Sequence, residues 1–398
     1  MSKLMPTYRP APVEFVSGEG CHLTDANGKT YLDFLSGIAV TSLGHSHPAV
    51  REAVSAQLGK LLHVSNLFQS GLNEEVAGMI DLLIGDGQLA GGKVFFTNSG
   101  AESNECAIKL ARRFGGHGRH VVVSAYGSFH GRTLATLHAT GQPAKHEPFA
   151  PMPEGFRHVE YGDIQSLDRA LDASVVAAVL LECIEGEGGI IPAPPGYLKA
   201  VRQLCDERNI LMMLDEVQTG LGRTGRWFAF QHENIKPDVV TLAKALGNGM
   251  PVGACWARSE VADCFAAGDH GTTYGGQPLA MSAVRATLQT MMDIDAPRLA
   301  RERGAYLRHL AEQIPGVSLV RGEGLLLGLV LEGELDATKT VNEALSRGLV
   351  LNSPAPRVIR LAPPLIVSPA ECSEASAIIE LSLAAVRDAT DAGQGYSS

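Results

Sequence analysis

The sequence predicts an α/β fold built on a mostly parallel sheet flanked by helices, and three observations predict it. Short apolar runs rich in branched or long side chains recur within 175–191, at 210–214 and at 239–242, bounded by polar or turn residues as doubly buried strands are. Helical patterns alternate with such runs, as over 196–208, which is what a βαβ series requires. Asp215 closes one run and Lys244 follows another, so a carboxylate and an amine stand just beyond two strand ends. In open α/β sheets the crevice at the carboxyl ends of the strands is where ligands collect.

The chain opens at 13–35 with apolar and polar residues alternating around GEG and DANG, the pattern of an antiparallel meander with Asn27-Gly28 as its tightest turn. After LGHSHP a helix is expected from 49 to about 62, with Pro48 near its first turn. A second helix, 73 to about 83, leads into a strand at 94–96, a turn at Asn98-Ser99-Gly100 and a helix over 102–113. A glycine-containing turn between strand and helix can offer free N–H groups to a phosphate, although such turns are common without one. A strand at 120–124 then enters a polar loop holding Phe129, His130 and Arg132; read alone, Phe129 is core and His130 a partner of the backbone.

The strand that starts at 175 runs into a glycine-rich loop with Glu182, Glu185 and Glu187, three carboxylates that repel one another unless a positive group is near. A solvated loop accounts for Glu185. Residues 268–280 form a polar turn before a long helix at about 279–293, and Thr272 and Thr273 there can cap or bond locally. A charged helix over 295–314 marks passage into a smaller unit. Two strands around a glycine turn follow, then the short helix KTVNEALSRG, a strand in VIRLAPPLIVS and a last helix at 370–387. Arg360 stands between Ile359 and Leu361, a poor place for an uncompensated guanidinium, so a carboxylate partner is expected. The tail DATDAGQGYSS is expected to fray.

With 398 residues, 45% hydrophobic and 19% charged, the chain has room for two domains and a large core. A formal charge of -10 gives no electrostatic basis for binding nucleic acid or an anionic membrane. No run is apolar for the length of a membrane span, and MSKLMPTYRPAP lacks the apolar centre of a secretory signal, so a cytoplasmic location is the default. Seven cysteines without a C-x-x-C pair read as buried hydrophobes in a reducing compartment. His45 and His47 read as turn or helix-start residues; no metal site is expected.

One chemistry needs a lysine and a carboxylate together: pyridoxal phosphate bonds a lysine amine through its aldehyde, and its pyridine nitrogen takes an acidic or arginine partner. Either residue alone also has an ordinary reading, Asp215 capping a turn and Lys244 solvated on a helix. The string GLGRTG at 220–225 fits the dinucleotide pattern but does not open a helix directly after a strand, so a nicotinamide or flavin site is not expected.

DEVQTGLGRTG from 215 and LAKALGNGMPVGA from 242 resemble the core of the class-III (subgroup III), fold-type I aminotransferases, which include acetylornithine and ornithine enzymes. The likeness extends over nearly the whole chain. It implies a large pyridoxal-phosphate-binding domain at 56–294 and a smaller α+β domain drawn from both termini, 1–55 and 295–398. It further implies that Lys244 bonds the cofactor, Asp215 pairs with the pyridine nitrogen, Val217 and Phe129 pack on the ring, and Gln218 meets its phenolic oxygen side. Ser99, Gly100 and Ala101 would hold the phosphate, with Thr273 reaching the phosphate of the neighbouring subunit, so a homodimer is implied. Arg132 and Arg360 would take substrate carboxylates, Glu187 would gate Arg360, and Thr272 is a substrate-binding candidate. Cys183, Glu185 and Gln277 depart from the family pattern, where proline, glutamine and asparagine are usual.

Within the family the chain start, GQPAK and FHGRT lean toward the acetylornithine type, which moves the distal amine of N2-acetyl-L-ornithine to 2-oxoglutarate in arginine biosynthesis. The alternatives are the same chemistry on ornithine, succinylornithine, succinyldiaminopimelate or 4-aminobutyrate, another pyridoxal-phosphate reaction such as an aminomutase or decarboxylase, or a non-catalytic binding protein on this scaffold.

Overall fold

Seven strands form the central sheet of the structure, a computed structural model that describes residues 3–394. In spatial order they are Gly92–Thr97, Gly253–Arg258, Val239–Leu242, Leu211–Asp215, Val176–Glu182, Val121–Ala125 and Phe156–Val159. Only Gly253–Arg258 runs against its two neighbours; the rest are parallel. Both faces are covered, which is why the strands read as unbroken apolar runs. Ala178, Leu180, Leu211 and Met213 face the helix Gly100–Gly115 through Ala107, Ile108 and Ala111. Val179, Leu181, Met212 and Leu214 face the other way, into the core that holds Leu198 and Val201 of Tyr197–Arg208 and Val284 and Leu288 of Pro278–Asp293.

Two four-stranded sheets and a two-stranded hairpin, Ile184–Glu185 with Ile191–Pro192, accompany the central sheet among the described residues. Phe15–Glu19, His22–Asp25 and Thr30–Asp33 form the expected meander, and Leu349–Val350 joins it in parallel beside Thr30–Asp33. There Lys29 Nζ donates to the Ser346 carbonyl at 2.6 Å across 317 positions of sequence. The other sheet runs Val317–Glu323, Leu326–Leu331, Val358–Leu361 and Asn352–Ala355, with Arg360 on an inner strand between Gly328 and Asn352. Helices Ala296–Ala311, Ala337–Ser346 and Pro369–Gln394 pack on one another and on these strands.

Several boundaries differ from expectation. The helix expected to about 62 is Pro48–Leu58 and stops at Gly59, leaving Leu61 and Leu62 exposed. The last helix extends to Gln394, so most of the tail expected to fray is helical; the final four residues lie outside those described. Strands Phe156–Val159 and Gly253–Arg258 and helices Leu134–Ala139 and Ile164–Ala170 carry no strong period and are found only in the structure. His47 is the N-cap of Pro48–Leu58, and His45 Nε2 bonds Asp33 Oδ2 at 2.7 Å. Six cysteines are buried and Cys264 is half-buried. Among the described residues, no helix is long and apolar enough to cross a membrane.

Candidate active site

Parallel register puts Glu182, Asp215 and Thr241 side by side at the carboxyl edge of the central sheet. Asp215 is buried, and both of its oxygens are engaged. Oδ2 accepts from Asn104 Nδ2 at 2.8 Å and lies 2.8 Å from His130 Nδ1, while Oδ1 accepts from the Val217 amide at 3.0 Å. Thr241 Oγ1 in turn donates to Asn104 Oδ1 at 2.7 Å, fixing the amide so that its NH2 faces the carboxylate. His130, expected to serve the backbone, spends its ring on Asp215 instead. Glu182 accepts from the amides of Phe129 at 2.9 Å and Gly186 at 3.1 Å. Burial first, and the neighbouring Asp215 charge second, push the Glu182 pKa well above the usual carboxylate range.

Lys244 begins a 3-10 turn, Lys244–Gly247, just past the strand Val239–Leu242. Its φ of 42° lies in the left-handed region, a strained place for a residue with a long side chain and one that marks functional sites. The side chain is half-buried and lines the cavity described next. Enclosure first, and the Arg360 charge second, bring its pKa down to about 8, against the pull of Glu187 and Asp215.

A cavity of about 390 Å³ opens over these groups, lined among others by Ser99, Gly100, Ala101, Phe129, Val217 and Lys244. Ser99 is the N-cap of Gly100–Gly115 and accepts from the Glu102 amide at 3.2 Å. The first-turn amides of Gly100 and Ala101, which no earlier turn can accept, therefore border the cavity at the positive end of a 16-residue helix. A Cβ on Gly100 would lie 2.9 Å from Val217 Cγ1, so glycine is what lets the turn approach the strand end. Helix terminus, apolar walls at Phe129 and Val217, an oriented carboxylate at Asp215 and an amine at Lys244 together fit a flat aromatic cation bearing a phosphate arm.

At the rim, Arg360 is fully buried and donates from Nη1 to Glu187 Oε1 at 2.7 Å and Gln218 Oε1 at 3.2 Å, and from Nε to Asn352 Oδ1 at 3.0 Å. The carboxylate partner expected for Arg360 is thus Glu187. Burial works against ionisation of Glu187, but Arg360 outweighs it and holds that carboxyl below its ordinary range. Arg132 is exposed, with its guanidinium carbon 5.4 Å from the Phe129 ring centre.

Glu185 departs from expectation. It is buried rather than solvated, its Oε1 has no hydrogen-bond partner among the described residues, and it does not line the cavity. Burial, then the Glu160 charge, raises its pKa to about 8. Cys183 also points elsewhere, toward Glu216 Oε1 at 3.6 Å. Gln277 uses its longer arm to accept from the Val64 and Ser65 amides at 2.9 and 3.2 Å, tying that loop down. Thr272 and Thr273 do not reach the cavity of their own chain. Thr272 Oγ1 accepts from Asn98 Nδ2 at 3.2 Å, and both threonines border a neighbouring hollow shared with Asn98 and Glu102.

Asn104 was not anticipated from the sequence. Its signal is positional: it falls one turn after Gly100 and one turn before Ile108, a polar residue on the helix face that packs on the sheet.

The aminotransferase class-III family pattern matches residues 5–383. The chain is 48% identical over 377 residues to the acetylornithine aminotransferase of Corynebacterium efficiens, covering 94% of this chain and 92% of that one. Among solved structures it is similar to the ornithine aminotransferase from Toxoplasma gondii, with a TM-score of 0.91 at 32% identity over 97% of this chain and 93% of that one. It is also similar to the N-acetylornithine aminotransferase from Stenotrophomonas maltophilia, with a TM-score of 0.82 at 34% identity over 96% and 98%.

Proposed function

The chain belongs to the class-III aminotransferases, and from that premise we propose that it moves the distal amine of N2-acetyl-L-ornithine to 2-oxoglutarate. The products are N-acetyl-L-glutamate 5-semialdehyde and L-glutamate, a step of arginine biosynthesis in the cytoplasm. Pyridoxal phosphate, when bound, supplies an electron sink for the carbanion formed at the amine-bearing carbon. Ser99, Gly100 and Ala101 would hold the phosphate, and Phe129 and Val217, on the cavity wall, would pack on the ring and exclude water. Asp215, fixed by Asn104 and His130, would hold the proton on the pyridine nitrogen. Lys244 Nζ would bond the cofactor and would serve as the base at the substrate carbon, and its pKa, lowered to about 8, brings a neutral amine closer to neutral pH than an ordinary lysine does.

The observation that carries the choice of an ω-amine donor is the Glu187–Arg360 pair at 2.7 Å, and the likeness to acetylornithine aminotransferases supports the acetylated donor among them. With Arg360 covered, a carboxylate near the reacting carbon has no cation to meet, while Arg132 stays free at the rim to take a distant one by a planar fork. An amine with its carboxylate far away suits that arrangement. 2-Oxoglutarate requires Glu187 to swing aside so that Arg360 can bind its α-carboxylate. The protein is a homodimer in this reading, with Thr273 of each subunit serving the phosphate in its partner.

Two measurements test the reading. Borohydride treatment of cofactor-loaded protein followed by peptide mass mapping is expected to label Lys244; a label elsewhere removes the mechanism. Substrate profiling of purified enzyme is expected to rank N2-acetylornithine first, and faster turnover of ornithine or 4-aminobutyrate would replace it.

A further inference from the structure

We propose that Lys145 is a specificity-determining residue of this site: beside Arg132 it rejects amino-acid donors whose α-amine is free and charged, and it admits those whose α-amine is acylated. The inference rests on the donor reading above. Lys145 Nζ lies 5.4 Å from the centre of the Phe129 ring, the distance at which the Arg132 guanidinium carbon also stands. It is held there. Its ammonium donates to Gln142 Oε1, and Gln142 Nε2 is anchored on the Ser128 carbonyl at 2.9 Å. The 3-10 turn Pro143–Lys145 fixes the backbone beneath. Partial burial, then the Arg132 charge, depresses the Lys145 pKa while Glu187 opposes, so the amine senses both rim residues.

Arg132 lines the cavity and Lys145 stands behind it on the same Phe129 ring, so two cations lie near the place where this reading docks the head group of the donor. Once its carboxylate meets Arg132, a free α-ammonium, two bonds from the carboxylate carbon, is held in the field of both positive charges. The three carboxylates that line the cavity offer it nothing: Glu182 is tied to the Phe129 and Gly186 amides, Asp215 to Asn104 and His130, and Glu187 to Arg360. Acylation removes the positive charge and replaces it with an amide whose carbonyl can accept from the Lys145 ammonium. Discrimination thus comes from a repulsive element as well as an attractive one.

The test compares N2-acetylornithine with ornithine as donors to the cofactor-loaded enzyme, wild type against Lys145→Met and Lys145→Arg, in single-turnover half-reactions. Lys145→Met is expected to lower the ratio of kcat/KM for the acetylated over the free donor about tenfold, partly by a gain on ornithine, whereas Lys145→Arg keeps the wild-type ratio. An unchanged ratio in the Met variant, or an equal loss on both donors, overturns the assignment. A wild type that itself prefers ornithine overturns the donor reading before any variant is made, so the two failures are separable. If the Met variant does not fold, Lys145→Gln carries the same expectation.

Discussion

Asp215 ends its strand with both oxygens committed, and the commitment is what makes it useful. A carboxylate bonded by an amide NH2, an imidazole and a backbone N–H cannot rotate away from the cavity when a ligand leaves. Replacing Asn104 with Ala removes one of these donors. Hydrogen bonds to charged groups contribute about 1.5–3 kcal/mol, so kcat is expected to fall about tenfold or more with KM for both substrates little changed. Steady-state kinetics check this; an unaltered kcat would mean the amide does not orient Asp215. Lys244 allows a second residue-level prediction. Its pKa stands near 8, below the ordinary 10.5, so the neutral, nucleophilic amine becomes the main form above about pH 8. The rate at which cofactor-free protein takes up pyridoxal phosphate is expected to rise with pH and level off above about 8; stopped-flow absorbance follows it, and a rise continuing toward 10.5 would contradict the shift. Both residues were legible in the sequence because each stands at the end of an apolar run. Asn104 and the His130–Asp215 bond were not, since a helix position shows its face but not what it meets across the sheet.

Among elements, the short hairpin of Ile184–Glu185 and Ile191–Pro192 carries the most consequential irregularity. It brings Glu187 to Arg360 while burying Glu185 with an orphaned oxygen. The Glu185 pKa is raised from 4.5 to about 8, so between those values the unfolded chain has released a proton that the folded protein keeps. Stability must therefore fall as pH rises through that window. Glu185→Gln removes the dependence. The variant is expected to match wild type near pH 4.5 and to be more stable above pH 8, by up to about 5 kcal/mol, as scanning calorimetry of the cofactor-loaded protein at a series of pH values would read. An equal offset at every pH would show that packing, not ionisation, separates the two. Periodicity revealed the doubly buried strands and the long helices because burial on both faces or on one stripe leaves a pattern. Gly253–Arg258 escaped because small residues interrupt it, and its antiparallel course is set by where its neighbours lie. The burial of Glu185 escaped because an acidic, glycine-rich loop reads as solvated until the elements around it are in place.

At the scale of the whole molecule, chain order and spatial order diverge twice. Thr30–Asp33 pairs with Leu349–Val350, so segments from the two ends of the chain share one sheet, a partnership that local pattern cannot show. The second divergence lies at the edge where Leu67, Phe68 and Tyr274 are exposed together with Thr273. Large apolar side chains clustered at a surface mark a place of association, and the neighbouring hollow reaches Asn98 and Glu102, behind the turn that would hold the phosphate. Thr273 lies outside the cavity of its own chain, which is what service to a partner subunit requires. Two inactive variants decide between the routes: Lys244→Ala lacks the amine, and Thr273→Asp sets a carboxylate against the cofactor phosphate. If Thr273 acts across the interface, a mixed dimer has one wholly intact site, and co-expressing the two variants in equal amounts restores about a quarter of wild-type activity by random two-fold pairing. If it acts within its own chain, each subunit of the mixed dimer carries a defect and the mixture stays inactive.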